Sequence, residues 1–191
     1  MTLLGTLLKN RRAGETHLAW NQPQLHSSEP LDLTSTQFQD GGALPLEHVL
    51  KRFGGKNLSP QLEWSPPPEG TAQLLLAVED FDVPMSRPAV HCLALIDPHG
   101  LGSAHRLPAG ALSAKQPAAG VTVLRSTVGR GYQGPGPIKG HGPHRYAFQL
   151  FALATAVDHG TGSAAGRPRA VLASVTGPVL ARGRLTGTFE R

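Results

Sequence analysis

Three polar residues stand at the ends of the three most apolar stretches of the chain. Asp80 closes QLLLAVED, His91 opens HCLALI, and His144 opens HRYAFQLFAL with Tyr146 two residues on. A carboxylate beside an imidazole raises the imidazole pKa and fixes the ring's orientation. Two histidines so placed could donate to a phosphate or carboxylate, with the Gly136 N–H and the Tyr146 hydroxyl as neutral donors. Asp80 repels such an anion unless a histidine is protonated, so the cluster implies an anion affinity that weakens as pH rises through the histidine titration. The same Asp80, His91 and His144 also imitate a two-histidine, one-carboxylate metal site, or an acid–base pair for hydrolysis.

The segment 131–146, GYQGPGPIKGHGPHRY, supplies the surroundings of His144 and Tyr146. Glycine reaches backbone conformations that a Cβ disfavours, and proline fixes φ and withholds a donor. A loop of this composition is rigid, and the N–H groups it leaves free can point at an anion. It suits an anion better than a cation, and it holds no Ser, Cys or Thr to act as a nucleophile.

Placing these groups together requires strands. Over 73–80, period-two alternation puts Leu74, Leu76, Val78 and Asp80 on one face. Over 91–96, His91 shares a face with Leu93 and Leu95, and over 144–153, His144 and Tyr146 share one with Phe148 and Leu150. If the first strand runs antiparallel to the other two, all the polar groups meet at one edge over an apolar floor. Further strands are expected over 31–38 (LDLTSTQF), 121–126 and 185–189, and a small-residue loop over 158–166. A helical pattern of Val171, Leu172, Val175, Val179 and Leu180 covers 168–182, with a kink or break expected at Gly177-Pro178. Strands precede one late helix without βαβ alternation, which indicates a β-sandwich-like domain with peripheral helices.

Composition narrows the possibilities. The 191 residues suffice for one domain, and 23 glycines and 17 prolines favour strands and defined loops over a helix bundle. Residues 1–30 read as an N-terminal arm and 31–191 as the domain. Leu3, Leu4, Leu7 and Leu8 have helical spacing, which suggests a short amphipathic helix that docks on its own domain or a second subunit. That run is too short to span a bilayer, and its charges follow rather than precede it, unlike a signal peptide. The lone Cys92 excludes an internal disulfide and reads as a buried small hydrophobe. The net charge of +5 favours anionic partners, but the 18 Lys and Arg are dispersed, without the clusters of a nucleic-acid face.

Several ordered segments are shared with a known family. NLSPQLEW at 57–64, DFDVP at 80–84, His91 heading an apolar strand, GPGPIKGHGPHRY at 134–146 and the ending ARGRLTGTFER resemble the phosphatidylethanolamine-binding protein family of the bacterial, Raf kinase inhibitor-like type. The resemblance implies an all-β fold, a large antiparallel sheet packed on a smaller sheet with one or two peripheral helices. It implies an anion pocket formed by Asp80, His91, Gly136, Pro137, His144 and Tyr146. It also implies a non-catalytic role: binding of a phosphate-type anion, a phospholipid headgroup or a phosphorylated group, with a kinase or protease as the regulated partner. No cofactor is required, and a cytoplasmic homodimer is expected. This chain departs from the family's pattern at Phe81, Val83, Gly136 and Ile138, and no aromatic residue flanks His91 among Ala89, Val90 and Cys92. The polar groups are kept while the apolar rim is altered.

Overall fold

The computed structural model describes residues 3–100, 102–158 and 167–191. Two antiparallel sheets form its frame. The larger contains β3 (Gln73–Asp80), β4 (Ala89–Ile96), β6 (Val121–Val123), β7 (His144–Leu153) and β8 (Val179–Phe189), in the order β6-β4-β3-β7-β8. The smaller contains β1 (Leu33–Thr34), β2 (Leu62–Trp64) and β5 (Arg106–Leu107), in the order β1-β2-β5. The short helices are α1 (Leu3–Leu8) and α2 (Pro168–Ala173). Among the described residues no helix is long and apolar enough to cross a membrane.

The central strands β3, β4 and β7 are apolar on both faces because both faces are covered. Leu74, Leu76, Val78, Cys92, Ala94, Phe148 and Leu150 meet Leu33, Leu62, Trp64 and Leu107 of the smaller sheet. On the other face Leu75, Ala77, Leu93, Leu95 and Phe151 meet Ala19 and Leu25 of the N-terminal segment and Val171 and Leu172 of α2. Burial pushes the Cys92 thiol up to about 12, so this cysteine is a packing residue with no thiolate to offer.

β3 and β7 occupy the ranges their alternation indicates, and β3 is antiparallel to both β4 and β7. Elsewhere the structure differs from the sequence reading. The strand expected over 31–38 is reduced to β1, because the Leu31 N–H instead donates to the Arg182 carbonyl of β8, at 2.9 Å. The helix expected over 168–182 ends at Ala173, and Val179 and Leu180 already belong to β8. Pro178 cannot continue a helix, whereas β8 gains a ladder to β7 along its whole length. Beyond Asp158, the loop read over 158–166 lies outside the described residues.

β8 would be a bare edge, but the chain near Pro30 and Ala43 runs beside it, bridging to Arg182 and Thr188. Close approach there requires glycine: a Cβ on Gly183 would strike the Leu31 carbonyl oxygen, and one on Gly187 the Leu44 side chain. Phe148 lies at the middle of the sandwich, fully buried and tilted against Phe38 at 5.4 Å between ring centroids. Phe148→Ala should lower the free energy of unfolding by about 3–5 kcal/mol in chemical denaturation, as expected for a truncated core aromatic.

Candidate functional site

The site lies at the end of the larger sheet where β3 finishes and β4 and β7 begin or pass. Asp80 pairs with Tyr146 of β7 on one side and with Ala89 of β4 on the other. His144 is thus within reach of the Asp80 carboxylate, and its Nδ1 lies 2.7 Å from Asp80 Oδ2. The other carboxylate oxygen, Oδ1, accepts the Asp82 N–H at 2.9 Å.

His91 arrives by a different route from the one its alternation indicates. Leu93 and Leu95 lie on the far face of the sheet, with Val90, so strict alternation would carry His91 there as well. The register slips between Val78 and Glu79: Val78 pairs with Cys92, Glu79 pairs with Val90, and His91 is the extra residue. This β-bulge turns His91 onto the Asp80 face. Its ring stands edge-on to Tyr146, with centroids 5.3 Å apart and planes at 84°. Nδ1 donates to the Gln133 carbonyl at 2.7 Å, leaving Nε2 without a protein partner among the described residues. Burial holds the His91 pKa below the usual histidine value, while Asp80 and the nearby carbonyls pull it the other way.

Around this floor is a cavity of about 610 Å³, lined by Asp80, His91, Gly136, Pro137 and His144 together with apolar Leu50, Val83, Met85, Val128 and Ile138. Lys51 and Arg52 stand at its rim, and Asp80 is its one lining carboxylate among the described residues. Five of the six site residues expected from sequence therefore share one cavity. Tyr146 does not line it. Its side chain lies behind the floor, fully buried; burial and then Asp80 raise its pKa, and the Gly136 N–H faces its hydroxyl.

The loop walls are fixed by groups far apart in sequence. Asn57 takes the left-handed conformation, with φ of 56°. Its Oδ1 accepts the Gly134 N–H at 2.7 Å and its Nδ2 donates to the Tyr132 carbonyl at 3.1 Å. Gly136 lies so close to Leu50 and Phe53 that a Cβ would come within 2.7 and 2.8 Å of their side chains. Two residues that matter here escaped the sequence reading. His141 lies with its Nδ1 2.7 Å from His144 Nε2; the spacing of two histidines three apart in GHGPH was its only signal. Arg12 of the N-terminal arm binds Asp82 Oδ1 at 2.9 Å and the Pro143 carbonyl at 2.9 Å, which no local pattern announces.

Asp82 itself is structural, but its partners lie across the sheet end rather than in its own turn. It accepts the Arg145 N–H at 2.9 Å and two guanidinium bonds from Arg145 at 2.7 and 2.8 Å. Burial raises its pKa, but the bonds from Arg145 and Arg12 outweigh that and leave it below the ordinary carboxylate value. Its stabilising contribution is therefore complete above the ordinary Asp range and is lost as pH falls through the lowered value. Arg12 and Arg145 are 32% and 47% exposed, so water can take over their donors when the carboxylate is removed. Asp82→Ala should accordingly cost about 2–3 kcal/mol in denaturant unfolding at neutral pH, and less in acid.

Comparison with known proteins bears on the family and the fold. The family model described as "Phosphatidylethanolamine-binding protein" matches residues 34–190. "Putative lipoprotein LppC" of Mycobacterium tuberculosis is 33% identical over 164 residues, covering 86% of this chain and 74% of that protein. The "UPF0098 protein" of Methanothermobacter thermautotrophicus is 32% identical over 163 residues, covering 84% and 99%. The crystal structure of Escherichia coli YbcL, described as a member of the mammalian PEBP family, superposes with a TM-score of 0.72 at 29% identity, covering 84% of this chain and 98% of that one. The chain belongs to the phosphatidylethanolamine-binding protein family.

Proposed function

We propose that this protein is a non-catalytic binding protein whose cavity takes a phosphate-type anion, free or carried by a lipid headgroup or a phosphorylated group. Regulation of a kinase or protease through that cavity is the extension that family membership supports. The observation that carries the reading is the contrast within the cavity. A small polar floor of Asp80, His91 and His144 lies under an apolar wall, with Lys51 and Arg52 at the mouth. Both oxygens of the single carboxylate are already engaged, one by His144 and one by the Asp82 N–H.

The hydrolase alternative loses its parts in the same geometry. Asp80 and both ring nitrogens of His144 are turned to protein partners rather than to a reacting water. Among the described residues no three His, Cys, Asp or Glu side chains are arranged to hold a metal ion. A two-histidine, one-carboxylate site would need those lone pairs converging on one point.

His91 decides how the anion binds. With Nδ1–H donated to Gln133 and its pKa lowered chiefly by burial, the neutral ring offers a lone pair at Nε2. An anionic oxygen cannot bond to that lone pair. Either His91 takes up a proton or the ligand brings one, so one proton enters with the anion. Inorganic phosphate titrated into the protein should shift the His91 imidazole resonances, with affinity strengthening by up to about tenfold per unit of falling pH. His91→Phe should weaken phosphate by roughly 10–100-fold, the loss of one charge-assisted hydrogen bond. Unmoved His91 and His144 resonances at millimolar phosphate would refute the reading.

A further inference from the structure

The contact between His141 and His144 has a consequence that follows from counting protons. His144 Nδ1 faces Asp80 Oδ2 at 2.7 Å. His144 Nε2 faces His141 Nδ1 at 2.7 Å. His141 Nε2 faces the carbonyl oxygens of Leu8 and Arg11, at 2.8 and 3.1 Å. The row thus ends in a carboxylate at one end and in backbone carbonyls at the other, and these offer only lone pairs. Each end therefore needs an N–H, one on His144 Nδ1 and one on His141 Nε2. The central nitrogen pair needs a third proton between them. Two neutral imidazoles carry only two.

We propose that His141 is a positioning residue for His144, and that the two rings share one positive charge imposed by the hydrogen-bond acceptors at both ends of the row. The surrounding charges permit this. Arg12 from the N-terminal segment and Arg145 from β7 face the same region, but both are turned to Asp82, and Arg145 also faces Glu15, so neither points its charge at the ring pair. His91 of β4 is the other ring near His144 and, when neutral, adds no charge. Tyr146 of β7 faces Asp80 with a hydroxyl that stays protonated. Asp80 is left as the carboxylate whose charge the pair answers. Both rings are buried, His141 fully, so no water supplies the missing partner.

The same row is a latch. Leu8 ends α1, and the chain after it is tied down by Ala13 N–H to the Val83 carbonyl and Gly14 N–H to the Phe81 carbonyl, at 2.9 and 2.8 Å. On losing the shared proton the row must give up one of its three bonds. The bond to the carboxylate is the strongest, because it is charge-assisted. The break therefore falls at His141, either between the rings or where Nε2 meets the Leu8 and Arg11 carbonyls. The latch is the second of these breaks, which couples charge in the cavity floor to attachment of the N-terminal segment. The inference does not depend on anion binding, because it concerns the ligand-free protein.

Nitrogen-15 histidine spectra of the ligand-free wild type, recorded against pH, test the charge directly. The expected result is three bound protons on the His141–His144 pair near neutral pH, lost in a single one-proton step as pH rises. Two neutral rings throughout the folded range would overturn the proposal. Hydrogen exchange of residues 11–14, corrected for the intrinsic pH dependence, tests the latch. Protection should fall through that same step in the wild type and be independent of pH in His141→Gln. Protection that stays constant through the step would overturn the coupling. Phosphate titration of the same samples separates the two readings: a protonated pair without phosphate binding would sink the anion-pocket reading alone.

Discussion

Between the Val78–Cys92 and Glu79–Val90 pairs, β4 holds one residue more than β3, and that residue is His91. Without the extra residue the imidazole would lie with Leu93 and Leu95 against the helical layer, an unpartnered polar group in the second apolar core. With it, the ring stands beside Tyr146 and faces the cavity, while the strand keeps its apolar pattern on both faces. The bulge therefore meets two demands at once. It continues a strand that must be buried on both sides, and it presents one polar group to a site at the sheet's end.

The end of β3 organises the rest through charge. Glu79, Asp80 and Asp82 are all buried, and each is answered by a different part of the molecule. Glu79 pairs with Arg169 of α2 at 2.6 Å and accepts the Ala19 N–H at 2.6 Å, which fixes the N-terminal segment and α2 to one face. Burial raises its pKa and Arg169 opposes the rise. Asp80 engages β7 through His144, and Asp82 engages both β7 and the N-terminal segment through Arg145 and Arg12. A buried carboxylate without its partner is costly, so each of these pairs makes docking of one layer conditional on the others. The N-terminal segment is accordingly built into the charge balance of the site, even though it lies outside the residues that define the family match.

Much of this was legible in the sequence because it depends on periodicity. β3 and β7 follow from alternation and apolar runs, and the meeting of Asp80 with His144 follows from their register. Three features were not legible, each for a physical reason. A bulge leaves no mark in an all-apolar strand, so alternation puts His91 on the Leu93 and Leu95 face although its ring lines the cavity. The helical spacing that continued through Val179 and Leu180 was an accident of five apolar residues, broken by Pro178 and overruled by the ladder to β7. His141 and Arg12 act through partners far away in the sequence or through a neighbouring ring, where spacing along the chain gives no preference.

The departures from the family's pattern sort themselves by position. Phe81, the departure within DFDVP, does not line the cavity. It packs with Leu18 and Ala147 beneath the Arg145 guanidinium, whose centre lies 4.4 Å from the ring centroid. That substitution builds the underside of the Asp82 cluster and leaves the binding surface untouched. Val83, Gly136 and Ile138 do line the cavity. Gly136 matters most, because the absence of a Cβ lets Leu50 and Phe53 close against the loop. Phe53 in turn lies under Arg191, 3.5 Å from its guanidinium centre, and beside Arg52 at 4.8 Å. The altered rim therefore leaves Asp80, His91 and His144 in the floor, and Lys51 and Arg52, which line the same cavity, add positive charge to its potential.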